Sequence, residues 1–108
     1  MGAKVVLIEG HKMGGDCLNF GCVPSKALIA AGKAAHSMTQ GADLGVSPVQ
    51  AKVDYAKAKD HVASAIAKIE PHDSQERFEG LGVHVIREWG KFVSPKVVQP
   101  GNWRHKRR

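Results

Sequence analysis

Two cysteines five positions apart near the start of this 108-residue chain constrain its local fold more than any other feature. A regular α-helix would separate the Cα atoms of Cys17 and Cys22 by about 8.6 Å, beyond the roughly 7 Å over which a disulfide can close. The backbone between them must therefore leave regular helix if the thiols are to pair. Asn19 and Gly21 tolerate such backbone, and Pro24 fits a first helical turn. We expect a distorted turn followed by a regular helix that begins near Cys22.

The positions of the two cysteines also predict that their thiols differ. Cys22 should lie at a helix N-terminus, where free N–H groups and the helix dipole favour an anion, so it should be the better thiolate. Cys17 is expected upstream on a loop, where it is more available to exchange with a substrate disulfide. Two alternatives remain open. The cysteines could be ordinary buried thiols, or they could bind zinc, for which His11 would add only a third ligand.

Composition and charge narrow the class of protein. With 43% hydrophobic and 24% charged residues, the chain is typical of one small globular domain, and a domain of this size is cramped for several binding sites. It has neither an apolar run of about 20 residues nor a secretory leader, so we expect a cytoplasmic protein without a membrane span. Residues 104–108 supply four of the six net positive charges, and basic residues interleaved with aromatics are missing elsewhere. Nucleic-acid binding is therefore not expected.

The pattern of apolar residues predicts an α/β fold. Residues 3–9 form a short apolar run that ends in Glu9, typical of a strand buried on both faces of a parallel sheet. A glycine-rich loop follows at 10–16. Short strands are predicted at 82–86 and in a hairpin formed by 92–93 and 97–98.

Two helices are predicted between these strands. The first runs from Pro24 to before Gly41, and the second begins near Val53, with Pro71 marking a kink or a break. Each has apolar residues at helical spacing, so the pair should pack antiparallel along these faces. The apolar positions are Leu28, Ala31, Ala35 and Met38 in the first helix and Tyr55, Val62, Ile66 and Ile69 in the second.

The segment Gly14-Gly-Asp-Cys-Leu-Asn-Phe-Gly-Cys-Val-Pro-Ser-Lys26 resembles the active-site segment of the pyridine nucleotide-disulfide oxidoreductases, a family that includes dihydrolipoamide dehydrogenase, glutathione reductase and mercuric reductase. The match is dense over residues 5–33 and looser up to residue 98. Segments 71–74 and 80–82 resemble mercuric-reductase-like members. The resemblance implies a fragment of a Rossmann-like FAD-binding domain, with an antiparallel helix pair and short C-terminal strands. Residues 1–100 would be that partial domain, bearing the redox-active disulfide, and 101–108 a disordered basic tail.

The resemblance also assigns residues to the cofactor FAD. Glu9 would hydrogen-bond the adenosine ribose, Lys26 would lie near the isoalloxazine ring, and Gly90 would contact adenine through its main chain. The residues that would approach the pyrophosphate and ribityl region are Gly14, Gly15 and Asp16. The family more often has Thr where this chain has Asp16, and a carboxylate near a pyrophosphate is unfavourable unless it turns away.

For the catalytic residues, the resemblance implies that Cys22 faces the flavin as the charge-transfer thiol and that Cys17 is the interchange thiol. Electrons would pass from NAD(P)H through FAD to the Cys17–Cys22 disulfide, and on to a small-molecule disulfide, dithiol or metal-ion substrate. The full-length enzyme would be a homodimer whose partner subunit supplies a His-Glu pair. The phosphate-binding Gly-x-Gly-x-x-Gly spacing occurs nowhere in the chain, so we expect it upstream of residue 1. The alternative is a truncated, non-enzymatic remnant whose frame shifts near Pro100.

Overall fold

A computed structural model describes residues 2–101, so Met1 and residues 102–108 of the expected basic tail lie outside the described part. The fold is mixed α/β. It divides into two compact units, one formed by the residues up to Gly15 together with those from Glu70 onward, the other by Asp16–Ile69. In chain order the strands and α-helices are β1 (Val6–Ile8), α1 (Gly15–Asn19), α2 (Cys22–Ser37), α3 (Tyr55–Ile69), α4 (Gln75–Gly80), β2 (His84–Ile86), β3 (Trp89–Ser94) and β4 (Val97–Gly101).

The first unit contains a two-stranded parallel sheet. β1 pairs with β2, with Leu7 opposite Val85, and the Glu9 N–H continues the pairing to the Ile86 carbonyl at 2.9 Å. The predicted parallel strand is therefore confirmed. The expectation that it is buried on both faces is wrong for the described chain, because Val6 is 56% exposed. Two paired strands do not have enough neighbours to cover both faces of β1.

The predicted hairpin is also confirmed, and it is longer than expected. β3 and β4 pair antiparallel, with Phe92 opposite Val98 and a register shift between Phe92 and Ser94. The ladder extends from Trp89 to Gly101, one residue beyond the expected boundary of the domain. Backbone pairing, which does not require an apolar pattern, accounts for the added length.

The helical pattern breaks at Pro71, one of the two outcomes that the sequence allowed. α3 ends at Ile69, a 3₁₀ turn spans Glu70–Asp73, and α4 begins one residue after Ser74. The Ser74 hydroxyl caps α4 by accepting a hydrogen bond from the Arg77 N–H at 3.2 Å. An N-cap serine of this kind supplies a partner for an otherwise unpaired helical N–H.

In the second unit, α2 packs against α3 as predicted. The buried side chains are Leu18 of α1, Ala27 of α2 and Val62 of α3. Ala27 is the buried residue of α2, and Ala31 and Ala35 of the expected stripe are half-buried. Of the larger members of the expected stripes, Val62 is buried and Ile66 is half-buried, whereas the others are exposed. Their exposed fractions are 40% for Leu28, 47% for Met38, 38% for Ile69 and 63% for Tyr55.

Candidate functional site

A pocket of about 230 Å³ opens in the first unit at the carboxyl end of β1. β1, the glycine loop and the segment around α4 each contribute to its walls. The lining residues are Leu7, Ile8, Glu9, Met13, Gly14, Gly15, Asp73 and Phe78. Three of the six residues predicted to bind the cofactor, Glu9, Gly14 and Gly15, are thus brought together.

Glu9 is held in this pocket through both its backbone and its side chain. Its N–H donates to the Ile86 carbonyl at 2.9 Å, and its Oε1 accepts a hydrogen bond from the His11 N–H at 2.8 Å. The other oxygen, Oε2, lies beside Gly15, 3.8 Å from where a Cβ would be. The side chain is half-buried. A carboxylate fixed in this way can accept hydrogen bonds from the hydroxyl groups of a ligand.

Gly14 and Gly15 have the backbone conformation that favours glycine. Their φ angles are +81° and +57°, in the left-handed region where a Cβ is strained. The Gly15 N–H closes the turn by donating to the Lys12 carbonyl at 3.0 Å. Side chains are thereby kept out of this wall of the pocket, and a ligand can approach the main chain directly.

Gly90 has a packing role that needs no ligand. A Cβ at this position would lie 3.2 Å from Cγ1 of Val98 and 3.5 Å from Cγ2 of Ile8. The residue does not line the pocket. Its main-chain contact with adenine remains a prediction.

In the second unit, the backbone between the two cysteines breaks as predicted. α1 closes with the Phe20 N–H bound to the Asp16 carbonyl at 2.9 Å, and α2 begins at Cys22 after Gly21, whose φ and ψ are −114° and −110°. A Cβ on Gly21 would lie 3.0 Å from the Asp16 oxygen and 3.5 Å from Cα of Cys17. A larger residue would therefore crowd α1 where the chain turns into α2.

Both cysteines are exposed, and neither is in a disulfide in this structure. Cys22 is the first residue of α2, as predicted. Cys17 lies within α1, so its expected place on a loop is wrong: the chain resumes helical backbone as soon as the glycine turn ends. Asp16, in the first turn of α1, and Lys26 are exposed. Lys26 follows Cys22 by four positions and so shares its helix face.

Sequence reasoning missed the contributions of Asp73 and Phe78 to the pocket. They are far from Glu9 in the chain, and they come next to it because β2, which follows α4, pairs with β1. Asp73 lies in segment 71–74, but the resemblance of that segment to mercuric-reductase-like members assigned it no role, and Phe78 belongs to no motif. Asp73 thus lines the same pocket as Glu9, although 64 positions separate them in the chain.

Among residues 2–101, no group of three or more His, Cys, Asp or Glu side chains is arranged to hold a metal ion. The same residues include no helix with the length and apolarity needed to cross a membrane.

Known proteins resemble the chain over most of its length. It is 39% identical over 99 residues to dihydrolipoyl dehydrogenase from Bacillus subtilis, covering 92% of this chain and 21% of that protein. It is 30% identical over 98 residues to mercuric reductase from Lysinibacillus sphaericus, covering 91% and 18%. The chain thus spans about a fifth of the length of the curated relatives that it matches. No protein-family model matches it.

A solved structure shares the fold. An HOCl-induced flavoprotein disulfide reductase from Escherichia coli, RclA, solved as its Cu(II) complex, matches with a TM-score of 0.65 and 19% sequence identity. The match covers 92% of this chain and 19% of that one. This likeness shows the architecture of the segment alone.

Proposed function

The chain belongs to the pyridine nucleotide-disulfide oxidoreductase family, and from that premise we propose that it supplies the redox-active dithiol and part of the FAD site of such an enzyme. The observation that carries the proposal is the placement of Cys17 and Cys22, two exposed thiols on either side of the helix break at Gly21. The electron donor would be NAD(P)H. The acceptor would be a small-molecule disulfide or a metal ion, with a dithiol as the substrate in the reverse direction. The whole enzyme would act in the cytoplasm as a homodimer.

The pocket in the first unit suits one portion of FAD. Its 230 Å³ is below the range of about 300–1,000 Å³ typical of small-molecule pockets, so it has room for a piece of the cofactor only. The carboxylate of Glu9 would accept hydrogen bonds from hydroxyls, which favours the adenosine ribose. We therefore expect the isolated chain to bind FAD with a Kd weaker than micromolar in a fluorescence titration. Tighter binding would contradict this assignment.

The remaining cofactor contacts are proposed from position in the chain. Gly14 and Gly15 would let the cofactor approach the main chain, because neither carries a side chain at the pocket wall. Asp16, Lys26 and Gly90 would contribute the more distant contacts. When bound, FAD supplies two-electron chemistry between a nicotinamide and a disulfide.

The chain's own chemistry is thiol–disulfide exchange. In the reducing direction the Cys17 thiolate attacks one sulfur of the substrate disulfide, forms a mixed disulfide and releases the first substrate thiolate. The Cys22 thiolate then attacks the Cys17 sulfur, which closes the Cys17–Cys22 disulfide and releases the second thiolate. Two protons convert the released thiolates to thiols. The substrate gains two electrons, and the dithiol loses two.

Mass spectrometry tests whether the two thiols act as a pair. The reduced chain, treated with glutathione disulfide, should lose two hydrogen atoms in mass as Cys17 and Cys22 join. The matched variants Cys17→Ser and Cys22→Ser, which keep one thiol each, should instead gain one glutathione. A chain that carries two glutathiones and no internal disulfide would contradict the proposal.

A further inference from the structure

Arg87 joins two segments of the first unit that are distant in sequence. It follows β2 directly, and its guanidinium donates two hydrogen bonds. Nη2 donates to the His11 carbonyl at 2.9 Å, and Nη1 donates to Oε1 of Gln75 at 3.2 Å. A planar guanidinium presents several donors in a fixed fork, so one side chain can hold two acceptors at a set spacing.

The two acceptors belong to opposite sides of the pocket. His11 lies in the chain between Glu9 and the other loop residues of the wall, which begin at Met13. Gln75 lies between Asp73 and Phe78, the lining residues contributed from around α4. Arg87 does not line the pocket itself. It therefore connects the glycine-loop wall to the α4 wall from outside.

The same connection bears on the orientation of Glu9. Ile86 accepts the Glu9 N–H, and the next residue, Arg87, holds the carbonyl of His11. The N–H of His11 in turn donates to the Glu9 carboxylate at 2.8 Å. Consecutive residues at the end of β2 thus fix the Glu9 backbone directly and its side chain through His11.

On the other wall, Gln75 is oriented to receive the guanidinium. Its Nε2 donates to Oε1 of Glu79 at 2.8 Å, so its Oε1 is the atom left to face Arg87. The amide nitrogen of Gln75 thus has an acceptor, and its amide oxygen has a donor. α4 therefore contributes a directed acceptor through Gln75.

We propose that Arg87 is a positioning residue that sets the gap between the two pocket walls and the orientation of Glu9 toward the adenosine ribose. The inference rests on the proposed function, because it takes the pocket to be the ribose end of the FAD site. Arg87 would act through His11 and Gln75, without touching the cofactor.

The probe for this role is ADP, which carries the adenosine ribose and pyrophosphate, titrated into the full chain and followed by NMR. Arg87→Ala should weaken the ADP Kd about tenfold, the equivalent of one charged hydrogen bond. Arg87→Lys, which keeps the charge but has one nitrogen, should recover part of the loss. The control is Lys96→Ala, which removes the same charge from an exposed position in the β3–β4 turn and should leave the Kd unchanged.

Two further measurements separate positioning from general stability. Amide hydrogen exchange at His11 should speed up in Arg87→Ala while the far-UV circular dichroism stays that of the unchanged chain. If Arg87→Ala fails to fold, Gln75→Ala removes the α4 side of the connection alone and should weaken ADP binding about threefold.

The outcomes distinguish this inference from the proposed function. If the folded Arg87→Ala and Gln75→Ala variants bind ADP as tightly as the unchanged chain does, the positioning role alone is overturned. If the unchanged chain fails to bind ADP even at millimolar concentration, the cofactor role of the pocket fails, and the role of Arg87 in binding fails with it.

Discussion

The two compact units hold their side chains in different ways. All three buried apolar residues found in residues 2–101, Leu18, Ala27 and Val62, belong to the unit formed by Asp16–Ile69. The described part of the other unit has none. Its strands are joined by backbone ladders, and its pocket walls are joined by hydrogen bonds from Arg87.

This difference indicates which forces maintain each unit. Packed helices depend on side-chain shape and burial, and cavities in them are costly. Two-stranded sheets are marginal in isolation and depend on the contacts around them. The thiol segment should therefore respond most to loss of apolar volume. The pocket should respond most to changes that displace backbone or break a hydrogen bond.

The largest expected effect is that of Leu18→Ala. Leu18 is 1% exposed, so truncation leaves a cavity and should lower the free energy of unfolding by about 2–5 kcal/mol. The matched control is Leu44→Ala in the same unit, at a residue that is 85% exposed, and it should change stability by less than about 0.5 kcal/mol. Urea unfolding followed by circular dichroism measures both. Equal losses in the two variants would show that burial of Leu18 is not what holds the thiol segment.

A smaller effect is expected from adding one methyl group to the backbone in each unit. A Cβ at Gly10 would come within 2.6 Å and 2.7 Å of Cε2 and Cγ of the Trp89 ring, so Gly10→Ala should cost about 1–3 kcal/mol. Gly32→Ala in α2 meets no atom within 4 Å and should stabilise the helix by about 1 kcal/mol. Thermal unfolding midpoints should move in opposite directions. If the midpoints of Gly10→Ala and Gly32→Ala moved in the same direction, the expected difference between a crowded and an open glycine would be contradicted.

The smallest effect concerns the inequivalence of the thiols. Cys22 begins the 16-residue helix α2, whereas Cys17 lies in a helix of five residues. A dipole advantage of about 0.3–1 kcal/mol for the Cys22 thiolate corresponds to roughly two- to fivefold faster alkylation. The Cys17→Ser variant should therefore react faster with iodoacetamide at neutral pH than the Cys22→Ser variant. The reverse order would show that the start of α2 does not favour the Cys22 thiolate over that of Cys17.

Local chemistry made the thiol segment predictable. The distance limit between Cys17 and Cys22, with a glycine before the second cysteine, was sufficient to predict the break and the start of α2. The glycine wall of the pocket was predicted from the family motif. The short helix around Cys17 was missed because five residues are too few for a periodic pattern. Asp73, Phe78 and Arg87 were missed because only the pairing of β1 with β2 brings their segment to the pocket.

The most direct test of the account is the reduction potential of the Cys17–Cys22 pair. The chain would be equilibrated with glutathione buffers of graded potential, and the disulfide fraction measured by mass spectrometry after acid quenching. We expect a single two-electron transition above about −300 mV, within the range of exchange-active pairs such as thioredoxin. A disulfide that stays oxidised to more negative potentials would be a structural cross-link. Either that result or the failure of any internal disulfide to form would contradict a redox role for this segment.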